Sequence, residues 1–323
     1  MKANMLEALN HALHLEMQAD SKMVVLGMDV GKQGGVFRVT DGLQAKFGTK
    51  RVTDTPLSED GVLSLSLGMA IYGMHPVAEI QFSGFLYEAY HTIKGQMGQY
   101  RSRSSGKIAL QMLVRSPYGG GVRALDLHSE LHESIYVHTA GLKVVLPSNP
   151  HDAKGLLLAS IRDPNPTLFF EPMKLYRAYR DDIPEESYTV ELGKANVARA
   201  GRDITLIAYG ASLRDCLDVA EQVKGTWDCE VIDLRTLSPL DDETIIASVK
   251  KTGRCVVVHE DPRTCGLGAE IAARIMEKAF LHLRAPVRRM TGYDTPFPLY
   301  ALENTYLPSA DKIRWAIEQT MHY

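Results

Sequence analysis

Apolar residues recur every three to four positions at Met5, Leu6, Leu9, Ala12, Leu13 and Met17, which predicts an N-terminal helix with one buried face. Beyond it the pattern changes to short, unbroken apolar runs. These are MVVLGM at 23–28, VAEIQF at 77–82, IALQMLV at 108–114, LKVVL at 142–146 and TLFF at 167–170. Such runs fit strands buried on both faces. The segments between them, residues 61–72, 87–99 and 152–162, read as helices, with Asp152 near the start of the third. Strands alternating with helices predict a parallel sheet between helical layers.

The polar stretch RAYRDDIPEES at 177–187 has almost no core-forming residues and reads as an interdomain linker. The alternation then restarts, with strands at 204–209, 230–234, 255–259 and 287–290 and helices at 215–223, 242–250 and 269–280. The expected organisation is two α/β domains, residues 1–185 and 186–323. A length of 323 residues fits two domains.

Composition narrows the class. The chain is 45% hydrophobic and 23% charged, which is globular. A formal net charge of −3 gives no general grip on nucleic acid or an acidic membrane. Cys216, Cys229, Cys255 and Cys265 show no CxxC spacing, which argues against a zinc site or a secreted disulfide framework. The N-terminus has neither an apolar signal core nor transit-peptide character, so the expected setting is cytoplasmic.

In a parallel sheet, ligands bind beyond the carboxyl ends of the strands. After the first strand, Asp29 to Gly35 is either a phosphate cradle or a set of tight turns, and it matches no standard phosphate motif. Near residue 55, Ser58 can cap the helix that follows. Glu59 and Asp60 then either favour its first turn or offer a carboxylate to a cleft. Phe82, Phe85, Tyr87 and Tyr90 are core packing or a stacking face for a flat heterocycle. Beyond Arg115 and the glycines at 119–121 come His128, His132 and His138. His128 and His132 are spaced for zinc if helical, but a histidine past a strand end also suits acid/base work. His259, Glu260 and Asp261 repeat the arrangement in the second domain.

Taken together, these blocks resemble the beta subunit of the thiamine-diphosphate-dependent decarboxylating component of 2-oxoacid dehydrogenase complexes. The likeness runs through DVGKQGGVFR at 29–38, DTPLSE at 54–59, AEIQF at 78–82, YRSRS at 100–104 and HS at 128–129. It continues through GLKVVLPS at 141–148, DAKGLL at 152–157, FEP at 170–172, VIDLRT at 231–236 and GYDTPFP at 292–298. The resemblance implies a transketolase-like pyrimidine-binding domain followed by a smaller transketolase-like C-terminal domain. It implies that Glu59 bonds a ring nitrogen of the aminopyrimidine, that Phe85 lies against that ring, and that Leu57 and Gln81 complete the pocket. His128 matches a histidine at the substrate end of the cofactor. Ser160, Asp163 and Asn165 match a potassium site built mostly from backbone oxygens.

The chain lacks the GDG and Asn-Asn elements that hold Mg²⁺ and the diphosphate in thiamine enzymes. A separate alpha subunit is therefore expected, in a heterotetramer of two alpha and two beta chains. The resemblance also implies a lipoyl acyltransferase partner, docked through the second domain. Two departures stand out. Met28 replaces a family glutamate assigned to an acidic connection between paired cofactors, and the family's His-Ser-Gln-Ser is here His128-Ser129-Glu130-Leu131, with His132 added. The GYDTPFP and EIQF blocks favour branched-chain 2-oxoacids over pyruvate or acetoin. A non-catalytic docking subunit is the rival reading, opposed by the presence together of Glu59, Phe85 and His128.

Overall fold

The computed structural model describes residues 1–323. Helix α1 (Met5–Ala19) begins at Asn4, whose side chain accepts from Glu7 N–H while Glu7 reaches back to Asn4 N–H. There follow β1 (Met23–Gly27), β2 (Val52–Asp54), helix α2 (Glu59–Ile71), β3 (His75–Glu79), β4 (Leu113–Tyr118), β5 (Lys143–Val145), helix α3 (Pro150–Arg162) and β6 (Thr167–Pro172). The six strands are parallel, in the order β5-β6-β4-β3-β1-β2. Neighbouring residues on each strand face opposite ways. Val25, Val77, Leu113, Val145 and Phe169 meet the layer of α1 and α3, while Leu26, Ala78, Val114, Val144 and Leu168 meet the layer of α2. Burial on both faces is the reason these strands read as unbroken apolar runs.

The second sheet comprises β7 (Asn196–Arg199), β8 (Ile204–Ala208), β9 (Cys229–Asp233), β11 (Cys255–Val258) and β12 (Arg288–Met290), in the order β12-β11-β8-β9-β7. Only β7 runs antiparallel. Helices α4 (Ala211–Gln222) and α7 (Ala310–Met321) cover one face through Cys216, Val219, Ile313 and Ile317. Helices α5 (Asp242–Thr252) and α6 (Leu267–Ala279) cover the other, and that layer is continuous with the apolar core of the first sheet. Strand β10 (Thr236–Ser238) leaves the second half of the chain and pairs antiparallel with β5, closing the edge of the first sheet.

Three expectations differ from the structure. The strand expected at 108–114 lies at Leu113–Tyr118, because Arg115 and Ser116 are buried with polar partners. The helix expected at 87–99 is broken into a 3₁₀ segment (Ser83–Ala89), a single turn (Tyr90–Thr92), a π segment (Ile93–Met97) and a short helix (Gly98–Arg103). A Cβ on Gly98 would meet Ala140 O at 2.7 Å, so the irregular turn lets the backbones approach. The polar stretch 177–187 is not a free linker. Asp181–Asp182 pairs with Lys2–Ala3, Ile183 is buried, and the Lys154 ammonium donates to the carbonyls of Pro184, Glu185 and Glu186.

Candidate active site

The order in which strands are added to the first sheet reverses about β1. Strand β2 lies on one side of it and β3 on the other, so the carboxyl ends of β1 and β3 diverge into a crevice. Met28 leaves β1 there, Ile80 and Gln81 leave β3, and the turn after β2 adds Pro56, Leu57, Ser58 and Glu59. Three of the residues singled out in the sequence, Leu57, Glu59 and Gln81, thus line one cleft. Ser58 caps α2, accepting from Gly61 N–H at 3.3 Å, and Asp60 accepts from the Thr92 hydroxyl at 2.6 Å. Capping is therefore done by Ser58. Glu59 is left half-buried at the head of the helix, facing the cleft with no hydrogen bond inside the chain. Leu57 is 69% exposed at the mouth, an apolar side chain without a cover. Gln81 Nε2 donates to Asp29 Oδ2 at 3.3 Å.

Phe85 and His128 come together on the Phe82 turn, which follows Gln81 in the chain. The His128 ring lies 5.2 Å from Phe85, edge to face, and 4.3 Å from Phe82. Its Nδ1 is 2.7 Å from Asp126 O. A carbonyl can only accept, so Nδ1 carries the proton and Nε2 of the neutral ring is left as an acceptor. The loop that carries His128 holds Arg123 and Leu127 at φ of 54° and 64°, unusual for side-chain-bearing residues. It packs so closely on the Phe82 turn that a Cβ on Gly84 would lie 2.1 Å from Leu127 O. Phe82, for which both core packing and stacking are open in the sequence, lies nearer His128 than Phe85 does.

Behind the cleft, the guanidinium of Arg115 is fully buried between two carboxylates. It grips Glu171 with Nε at 2.7 Å and Nη2 at 2.6 Å, and its Nη1 bonds Glu79. Tyr176 donates to Glu171 at 2.6 Å. Burial pushes the Glu79 carboxyl up, opposed by the Arg115 charge. Toward the second domain, Glu133 accepts from Tyr118 and Tyr209 at 2.5 and 2.6 Å. Glu260 and Glu303 accept the backbone N–H groups of Gly120 and Gly121. Burial, reinforced for Asp261 by the Glu133 charge, raises Glu260 to about 7 and Asp261 to about 9. Of this acidic layer, Glu260 and Asp261 stand out in the sequence because they follow a strand end. Glu303 gives no signal, because its partner Gly121 lies far along the chain.

Other candidates go elsewhere. The loop after β1 is no open phosphate cradle: Gly31 N–H bonds Asp54 at 2.6 Å and Gly35 N–H bonds Asp29 O at 2.8 Å. His132 is buried against Tyr87, Tyr136 and Phe170, and burial lowers it to about 4. It does not join His128 in a metal set, and no group of three His, Cys, Asp or Glu side chains could hold a metal ion. At 160–165, the Ser160 hydroxyl is buried without a partner. The Asp163 carboxylate is engaged by Lys143 and Asn165, and the Asn165 side-chain oxygen by Arg101.

Residues 1–178 match the transketolase pyrimidine binding domain, and residues 193–313 match the transketolase C-terminal domain. The chain is 48% identical over 320 residues to "Pyruvate dehydrogenase E1 component subunit beta" of Staphylococcus epidermidis, covering 99% of this chain and 98% of the relative. It is 47% identical to the protein of the same name from Staphylococcus aureus, with the same coverage. The chain belongs to the beta subunits of 2-oxoacid dehydrogenase complexes. Among solved structures, a "Split gene transketolase, inactive beta4 tetramer" shares the fold at a TM-score of 0.80 and 21% identity, over 99% of this chain and 98% of that one. These relatives of the beta subunit are named for pyruvate, where the sequence blocks had favoured branched-chain substrates. Membership places the beta subunit in a thiamine-diphosphate-dependent complex that implies an alpha subunit and an acyltransferase. No helix of the beta subunit is long and apolar enough to cross a membrane.

Proposed function

We propose that this chain is the beta half of a pyruvate-decarboxylating enzyme that passes the acyl group to a lipoyl group. The observation that carries the reading is the Glu59 carboxylate, freed from capping by Ser58 and facing the switch-point cleft. The pyrimidine half of thiamine diphosphate fits this cleft: an unpartnered carboxylate and the uncovered Leu57 line it, the buried and unpartnered Thr55 hydroxyl comes shortly before Glu59 in the chain, and the half-buried Phe85 comes shortly after Gln81. Bound there, the cofactor supplies an electron sink for decarboxylation. Glu59 holds a proton at a pyrimidine ring nitrogen, Leu57 and Phe85 exclude water from the ring faces, and Gln81 orients the rim. His128 offers Nε2 at the substrate end. Its task, as the imidazolium with a proton on Nε2 as well as on Nδ1, is to give the Nε2 proton to the sulfur that leaves when the lipoyl ring opens, returning to the neutral ring. The chain offers no carboxylate set for Mg²⁺ and a diphosphate, so the alpha chain provides that half, in a heterotetramer of two alpha and two beta chains. Pyruvate rests on the names of the relatives, and branched-chain 2-oxoacids and acetoin rank behind it. A potassium ion at 160–165 would be held by main-chain carbonyls of Ser160, Asp163 and Asn165, since the acidic side chain there is taken by Lys143.

Calorimetry with thiamine diphosphate and Mg²⁺ tests the split site. The chain alone should show no tight binding and no turnover, and adding the alpha chain should restore both. Turnover by the isolated chain would overturn the reading, and so would a reconstituted complex that prefers branched-chain acids as to substrate. Replacing K⁺ by Na⁺ should lower the melting temperature if the cation site is occupied.

A further inference from the structure

A second cavity, of about 470 Å³, lies in the second domain at the carboxyl ends of β11 and β12. Arg288 and Arg289 come from β12, Arg263 from the loop after β11 and Lys312 from the first turns of α7. Four cationic residues therefore line one cavity of a protein whose net charge is −3. The ion pairs of this domain lie elsewhere, on residues such as Arg199, Lys251, Arg274 and Lys278. Asp294 is the only carboxylate in the lining, and it is engaged by Thr264, whose N–H and hydroxyl each bond it at 2.8 Å.

The cations are held in place by neutral groups. Arg263 donates to Arg289 O at 3.1 Å, and Arg289 returns a bond to Arg263 O at 2.8 Å. Lys312 donates to Leu307 O at 2.9 Å. Arg288 lies over Trp315 at 5.3 Å, with its Nε buried and without a partner, and Lys312 lies over Tyr293 at 5.0 Å. Burial and the Arg263 charge lower the Arg289 pKa, as crowding of like charges should. Such an arrangement is costly without a counter-charge. Guanidinium groups match phosphate oxygens in geometry, the volume is that of a small-molecule site, and exposed aromatic walls suit a flat ring.

We propose that this cavity binds a small molecule bearing a di- or triphosphate, a nucleotide by preference, at a site separate from the cleft of Glu59. Trp315 lines the cavity and Trp227 packs elsewhere, against His322, so a ligand should quench Trp315 selectively. The test is a titration of the full-length chain with ADP, inorganic tripolyphosphate and AMP. Fluorescence and calorimetry are read in parallel, then calorimetry alone on the complex with its alpha chain. ADP and tripolyphosphate should saturate, AMP should bind more weakly, and affinity should fall several-fold as salt rises. Tighter binding of ADP than of tripolyphosphate would identify a nucleotide, and the reverse order would identify a free polyphosphate as the ligand of the same site. The exposed Arg263→Glu and the paired change Arg288→Ala with Arg289→Ala should each weaken binding by about tenfold or more, the worth of charged hydrogen bonds. Arg263→Glu guards against misfolding, since its melting temperature should stay at the wild-type value. Responses that never saturate, or that survive both variants, would overturn the proposal. Binding by the chain but not by the assembled complex would also overturn it, since the cavity would then be a subunit contact.

Discussion

Glu260 of the second domain accepts the backbone N–H of Gly120 at 3.1 Å, across the junction between the two sheets. Gly120 opens the loop that ends at His128, so the second domain fixes one end of the segment carrying the proposed acid. The neighbouring bond from Gly121 to Glu303 fixes it a second time. The position of His128 thus depends on both domains.

Glu59→Gln in the assembled enzyme should reduce turnover by roughly 10²–10⁴, the usual worth of positioned proton transfer. The melting temperature should not change, because Ser58 caps the helix. Steady-state assays and thermal unfolding on one preparation check both. Activity within a few-fold of wild type would assign Glu59 a structural role only.

His128→Ala should reduce lipoamide-dependent flux more than decarboxylation measured with an artificial electron acceptor. His132→Ala is the neighbour control. Its ring packs at 4.5 Å on Tyr87, so its loss should appear as about 1–3 kcal/mol of stability. Equal losses in both assays for His128→Ala would make it a positioning residue.

Breaking the buried grip of Arg115 should cost about 3–5 kcal/mol, because Arg115→Met leaves Glu79 and Glu171 uncompensated in the core. Denaturant unfolding measures it. A change below about 1 kcal/mol would mean the carboxylates take up protons at little penalty.

Stability should fall as pH rises from about 7 to 9, above the range in which the buried, neutral His132 and His259 make it climb. In the folded chain Glu260 is raised to about 7 and Asp261 to about 9, above their ordinary carboxyl values. The folded state therefore binds more protons over this window, and the stability it gains is lost as pH climbs through those values. Glu133, Glu260, Asp261 and Asp215 face this layer with Lys174 as its nearby cation, and Tyr118, Tyr209 and Tyr306 complete it. Asp261→Asn should flatten the fall in melting temperature. An unchanged slope would place the titration elsewhere.

Much of this was legible in local pattern. The core strands at 23–28, 142–146 and 167–170 show as apolar runs because both of their faces are buried, and α1 shows through its three-to-four spacing. Glu59, Leu57 and Gln81 share a cleft because the strand order reverses at β1, a relation that resemblance could point to and spacing could not. What was missed depends on contacts distant in sequence. Leu113–Tyr118 hides its polar residues behind Glu79 and Glu171, so its strand character is invisible locally. Helix α7 was overlooked because its buried stripe, Ile313, Ala316 and Ile317, is short and set among charges. The 177–187 segment looked like a linker because it is held mainly by backbone carbonyls on Lys154 and by a single buried apolar side chain, Ile183, too little for a hydrophobic pattern.

Strand β10 gives the domain boundary a different meaning. Cutting the chain near residue 185 would remove Thr236–Ser238 and leave Lys143–Val145 as a bare edge beside an uncovered apolar layer. Naked edges of this kind recruit other strands and aggregate. The two halves are modules of ancestry, matched separately by two domain families, yet they are a single cooperative unit when the chain folds. A truncated first half should therefore come out of expression as inclusion bodies, and the second half would lose the apolar cover that the first sheet gives it as well as its attachment at β10.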